Sequence, residues 1–168
     1  MDTSAETPGQ SSNLLTQVRT IPLDGVEGRI DHFGLDAKGK RLFVAALGND
    51  SVEVVDLTAG KVTQHIRNLS TLQGIGFVPE SNRLAVANDQ DGSYRLYDGT
   101  SLLQTATIEL KDDADNVRYE RVSRRFWVGH GDDGLAAIDP ETGKQVADVK
   151  LDAHPESSNS RPRASGSS

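Results

Sequence analysis

Short apolar runs alternate with polar residues along most of this 168-residue chain, and each run is cut by a cluster of Gly, Asn, Asp or Pro. Period-two alternation marks strands with a buried face, and those punctuating residues mark the turns between them. From residue 30 the pattern predicts four strands, near 30–35, 41–47, 52–57 and 62–66. They are separated by Asp36-Ala37-Lys38-Gly39, Gly48-Asn49-Asp50 and Thr58-Ala59-Gly60. The second strand is almost unbroken in its apolar character, as expected of a strand covered on both faces. The fourth alternates with polar residues and so belongs at the outside.

The same order returns twice. Residues 30–66, 72–108 and 114–149 align without strain, and their landmarks keep a fixed step. Leu35, Phe77 and Tyr119 stand 42 residues apart, as do Val44, Val86 and Val128; Asp56, Asp98 and Asp139 are spaced by 42 and then 41. Agreement at three separate landmarks establishes a repeat. The hairpin tips, among them Asp91-Gly92 and Asp132-Asp133-Gly134, are rich in the residues that tolerate positive φ. An antiparallel unit of four strands and about 42 residues is one blade of a β-propeller. The expectation is therefore an all-β chain: a partial propeller of three four-stranded blades, with incomplete blade strands on either side. Residues 15–23 read as an outer strand before the first blade, and 151–156 as the approach to another inner strand. The propeller region spans 14–156; residues 1–13 and 157–168 are polar, low-complexity and expected to be disordered.

At Leu42-Phe43-Val44-Ala45-Ala46, Leu84-Ala85-Val86-Ala87-Asn88 and Phe126-Trp127-Val128-Gly129-His130 the chain resembles the YVTN-type propellers of the WD40/quinoprotein amine dehydrogenase-like superfamily. Val52-Glu53-Val54-Val55-Asp56 through Gly60-Lys61 resembles that family's third strand and turn, and Ile138-Asp139 through Gly143-Lys144 echoes it. The second unit alone keeps the Asn after the small residue, and the Gly-His and Trp-Asp pairs of true WD40 repeats are absent. The resemblance implies a propeller in a bacterial style, from a family often exported. It also bears on the ending. Relatives continue beyond His-Pro-Glu-Ser with something like Phe-Gln-Leu-Glu, and one coding of that tetrapeptide read a base late gives Ser-Asn-Ser-Arg, the residues at 158–161. A frameshift, a native flexible tail and a cloning scar all remain open for 157–168.

Composition narrows the functions. A net charge of −7 with no clustered Lys or Arg argues against nucleic acid and anionic membrane as partners. The absence of cysteine removes disulfides, zinc thiolates and thiol nucleophiles. No apolar segment suitable for a signal peptide or membrane span occurs at the start, which leaves the compartment open.

Propellers bind ligands at the mouth of the central channel, so the candidate residues lie at the start of the first strands and the ends of the second. They are Arg29, Asp31, His32, Asn116 and His130, with Gly74 standing where the other units have His32 and Asn116. Asp31 and His32 could act together in base catalysis if their side chains converged, but neighbours on a regular strand point to opposite faces. His130 has no second histidine at ligand spacing, and the Asp-rich stretches 88–92 and 132–134 read as turns ahead of calcium sites. The recurring Asp56, Asp98 and Asp139 suit turn closure, and Phe43, Phe77, Tyr119 and Trp127 suit the core between blades. No catalytic set, cofactor or metal is expected. The preferred reading is a non-enzymatic binding or scaffold module, taking a small molecule or protein at the channel mouth and open to self-association through uncovered blade faces. The alternatives are a fragment of a metal-dependent lactonase-like or quinoprotein dehydrogenase-like enzyme, and a truncated product without independent function.

Overall fold

Among the described residues twelve strands form, each ended by the residues that the hydrophobic pattern marks as turns. The computed structural model describes residues 15–110, 113–152 and 155. The first sheet contains β1 (Phe33–Asp36), β2 (Arg41–Ala46), β3 (Ser51–Asp56) and β4 (Lys61–Ile66). The second contains β5 (Leu72–Val78), β6 (Arg83–Asn88), β7 (Ser93–Asp98) and β8 (Gln104–Glu109); the third contains β9 (Asp115–Glu120), β10 (Arg125–His130), β11 (Gly134–Asp139) and β12 (Lys144–Lys150). Each sheet is a simple antiparallel meander in chain order.

Side-chain chemistry closes the turns. Asp56 Oδ1 accepts the N–H groups of Thr58 and Ala59 at 2.7 and 2.8 Å, and Asp98 and Asp139 do the same for Thr100 and Ser101 and for Glu141 and Thr142. These are the expected turn bonds of the recurring aspartate. A second repeat accompanies them. Arg41, Arg83 and Arg125 begin the second strands and pair with Asp36, Asp98 and Asp139 at 2.7, 3.4 and 3.2 Å.

Alternation gives each sheet two apolar faces, and those faces meet between sheets. Phe43, Ala45, Val52 and Val54 of the first sheet pack with Leu72, Ile75, Leu84 and Val86 of the second. Ala85, Ala87, Tyr94 and Leu96 of the second pack with Val117, Phe126, Val128 and Ile138 of the third. The Phe43 and Phe77 rings lie 5.1 Å apart across the first boundary, and Tyr94 meets Phe126 edge-on at 6.1 Å across the second. β5 lies against β1 and β2, and β9 against β5 and β6, so the first strands gather at the inside while the fourth strands lie outermost. The sheets are blades of a β-propeller.

Some sequence expectations shift. β1 begins at Phe33 rather than near residue 30, and β2 gives way to a 3₁₀ turn at Leu47–Asn49. Trp127 belongs to neither inter-blade core, since it faces away from the second blade and no sheet among the described residues covers it. Residues 15–23 form no strand, and none of the three sheets among the described residues takes them as a member. They still hold to the first blade, with Arg19 Nη1 donating to Leu57 O at 2.9 Å. Asn49 then clamps the following residues, donating to Gly25 O and accepting from Glu27 N. The expectations for 1–13 and 157–168 lie outside the described residues, as do three of the six residues 151–156; the other three, 151, 152 and 155, carry no strand. Pro155 is buried, its ring where a Cβ on Gly129 would stand.

Candidate functional site

The geometry of the channel end starts from one irregularity repeated in three blades. Asp31 N donates to Ala45 O while Ala45 N donates to His32 O, so two residues face one. The register of β5 against β6 slips by one residue between Leu72 and Gly74, and that of β9 against β10 between Asp115 and Arg118. Each first strand thus carries a β-bulge at the same repeat position: Asp31-His32, Gln73-Gly74 and Asp115-Asn116. Bulges bend a strand and re-aim its side chains. Asn116 accordingly takes φ +48°.

This overturns the expectation that Asp31 and His32 point apart. Alternation fails at a bulge, and His32 Nδ1 stands 3.3 Å from Asp31 Oδ2, at ion-pair distance but without the angle of a hydrogen bond. Arg29 Nη2 holds the other oxygen of Asp31 at 2.9 Å. Asn116 is buried and donates through Nδ2 to Asp115 Oδ2 at 3.0 Å. Gly74 occupies the equivalent place in the second blade because a Cβ there would meet Val117 Cγ2 at 2.8 Å.

The bulges of the first and third blades bring Asp31 and Asp115 within electrostatic reach of one another, and Asp89 and Asp113 lie nearby. Burial pushes the Asp115 carboxyl up; the N–H of Asn116 and the nearby His32 oppose this, while Asp31 and Asp113 add to it. Asp89 is also raised, first by burial and then by a hydrogen bond with Asp113, against the pull of Gln73 Nε2, which donates to Asp89 Oδ2 at 2.8 Å. Asp31 and His32 come from the first blade, Gln73 and Asp89 from the second, Asp113 and Asp115 from the third. An end lined in this way attracts cations and hydrogen-bond donors and can hold a proton between carboxyls. Among the described residues no group of three or more His, Asp or Glu side chains is arranged to hold a metal ion.

His130 is not part of this assembly. It ends β10 buried, with Nε2 3.0 Å from Asp148 Oδ1, Nδ1 without a partner among the described residues, and its ring against Gly134. It lines a separate cavity of about 550 Å³ with Asp132, Asp133 and Lys150. In the Asp-rich stretches, Asp91 accepts from Ser93 N and pairs with Arg95, and Asp133 pairs with Lys150.

Two features escaped the sequence reading. Gln73 and Asp115 sit 42 and 84 residues after Asp31, a step that could have found them. Glu53 interrupts a buried apolar run, and it is satisfied by Ser51 Oγ at 2.7 Å and by His65 Nδ1 on the neighbouring strand.

No family profile and no curated protein matches the chain. Solved structures do match. The chain superposes on hydrazine synthase of Kuenenia stuttgartiensis with a TM-score of 0.67 and 18% identity, over 81% of this chain and 40% of that one. It superposes on a chain of a mitotic checkpoint complex with a TM-score of 0.71 and 16% identity, over 83% of this chain and 43% of that one. The chain therefore spans less than half the length of these structural neighbours, and the likeness is one of fold: three blades of a β-propeller.

Proposed function

We propose that the chain is a non-enzymatic binding module of the YVTN-type propeller kind, whose residues 14–156 form the propeller unit and whose ligand is engaged at the channel mouth. The observation that carries this reading is the bulge repeated in three first strands, which turns Asp31, His32 and Asp115 out of strand alternation and into mutual reach. Arg29 and Asn116 position the two aspartates, so four of the five sequence candidates belong to one site; His130 is left to its own cavity. The acidic lining and the net charge of −7 favour a cationic group, such as a Lys or Arg side chain of a protein partner or a small polyamine. Of the two structural neighbours one is a chain of a protein complex and the other an enzyme, so fold likeness decides between binding and catalysis in neither direction.

The test is a backbone NMR titration with spermidine and with an Arg-rich peptide. Shifts confined to residues around the three bulges, weakened in Asp31→Asn and Asp115→Asn chains, are expected. Shifts scattered over all acidic surfaces would remove the reading. The second reading, a fragment of a metal-dependent lactonase-like enzyme, predicts turnover of a simple lactone in calcium that a chelator abolishes, and that assay separates the two.

A further inference from the structure

One kind of contact is made twice within the chain. The face that each sheet turns toward the following blade closes over that blade's first strand. As a result Ile75 and Val117, a repeat apart, are each only 2% exposed. One step earlier the same position is Phe33, and it is 58% exposed; Leu35, the counterpart of the packed Phe77 and Tyr119, is 54% exposed. At the other end, Trp127 occupies the position of Phe43 and Ala85, whose side chains make the covering face. Register aligns Trp127 with Ala137 and Ala147, and Gly129 with Leu135 and Val149, so this face is also an apolar row, with Val149 42% exposed. The chain carries both halves of its own repeated contact, and among the described residues no sheet covers either; residues 15–29 lie over part of the first face, and Pro155 alone lies over Gly129 on the other.

Residues 15–29 take up the outer part of the first face. Arg19 donates to Leu57 O. The repeat counterpart of that acceptor is Gly99 O, which is held by Arg41 of the preceding blade. In a following copy placed as the blades are placed, the residue brought to Leu57 would be Arg125.

We propose that two copies of this chain dock head to tail, Phe33 and Leu35 of one against Trp127 and Val149 of the other, and that residues 15–29 compete for the outer part of that face. A second copy is the occupant because the contact continues an interface the chain already forms at two boundaries, with complementary shape supplied by the repeat. A contact joining unlike faces is heterologous, and copies build rings or filaments from it. Four strands about 4.8 Å apart and about 20 Å long present roughly 400 Å² of flat face. That lies below the roughly 800 Å² per partner of a standard stable complex, so association is weak and concentration-dependent. The proposal rests on the blades alone and is independent of what the channel mouth binds.

Sedimentation velocity of the full chain over a hundredfold concentration range tests it. The sedimentation coefficient is expected to rise with concentration, Arg19→Ala to shift that rise several-fold lower, and Phe33→Asp or Val149→Asp to move it up by about tenfold or more. Both substituted positions are partly exposed, and circular dichroism checks their folding; Trp127→Asp serves as a second variant of the third-blade face. The decisive step is to mix Phe33→Asp with Val149→Asp chains. Each keeps one sound face, so the mixture forms a one-to-one dimer that neither variant forms alone. A chain that stays monomeric both as it stands and as Arg19→Ala, or a mixture no more associated than its components, overturns the proposal.

Discussion

Asp115 holds the place in the third blade that Asp31 holds in the first, and burial raises its carboxyl. The raised value has a definite sign in stability. A carboxyl whose folded pKa lies above its unfolded value binds more protons in the folded state, so it costs stability as pH rises past the ordinary 3.8. Asp115→Asn is therefore expected to raise the urea midpoint at pH 7, with the difference from the parent chain vanishing below pH 3.8. The turn aspartates carry the opposite sign. The N–H groups of Ala59 and Thr58 hold Asp56 below 3.8, and matching groups lower Asp98 and Asp139. Their contribution is present above 3.8 and is lost as pH falls through the lowered values, which adds acid sensitivity at the hairpins. Tyr94 offers a third case. Its hydroxyl is fully buried without a partner among the described residues, and burial pushes the phenol well up. Removing an unpaired buried hydroxyl at constant shape relieves its desolvation cost, so Tyr94→Phe is expected to stabilise the chain by about 1 kcal/mol in urea unfolding.

At the scale of the blade, the four-strand meander is set by turn chemistry and alternation, and small residues tune it. Gly134 begins β11 because a Cβ there would stand 2.3 Å from His130 Cε1. Its counterparts Ser51 and Ser93 have side chains, since the residues facing them are Ala46 and Asn88 rather than histidine. Gly134→Ala is expected to destabilise by roughly 1–3 kcal/mol through overpacking, and His130→Ala in the same chain to return most of it; a double-mutant cycle checks the coupling. The bulges belong to this scale too. They follow from backbone register, and the apolar-polar pattern of residues 30–35 carries no mark of the extra residue, so the convergence of Asp31 with His32 was not legible there.

For the whole molecule, stability resides at the two boundaries between blades. Phe126 is fully buried between the second and third sheets, against Tyr94 and Tyr119. Phe126→Ala is expected to cost about 3–5 kcal/mol, whereas Phe33→Ala, on the open face of the first blade, changes stability by about 0.5 kcal/mol or less. Parallel urea titrations at low protein concentration measure the contrast. The two phenylalanines are similar in hydrophobicity; what separates them is whether a neighbouring sheet stands opposite.

The linear pattern alone determined the four-strand order of each blade, the 42-residue repeat and the turn role of Asp56, Asp98 and Asp139, because each depends on neighbours a few residues away; the outer strand it placed at 15–23 does not form. It also named Arg29, Asp31, His32, Asn116 and His130 as candidates for the channel mouth. Only the packed structure decided that Asp31 and His32 approach each other, that Asp89, Asp113 and Asp115 join them, that His130 stands apart and that Trp127 lies outside the cores. Those outcomes depend on register slips and on which sheet faces which, and both are settled by contacts between residues far apart in the chain.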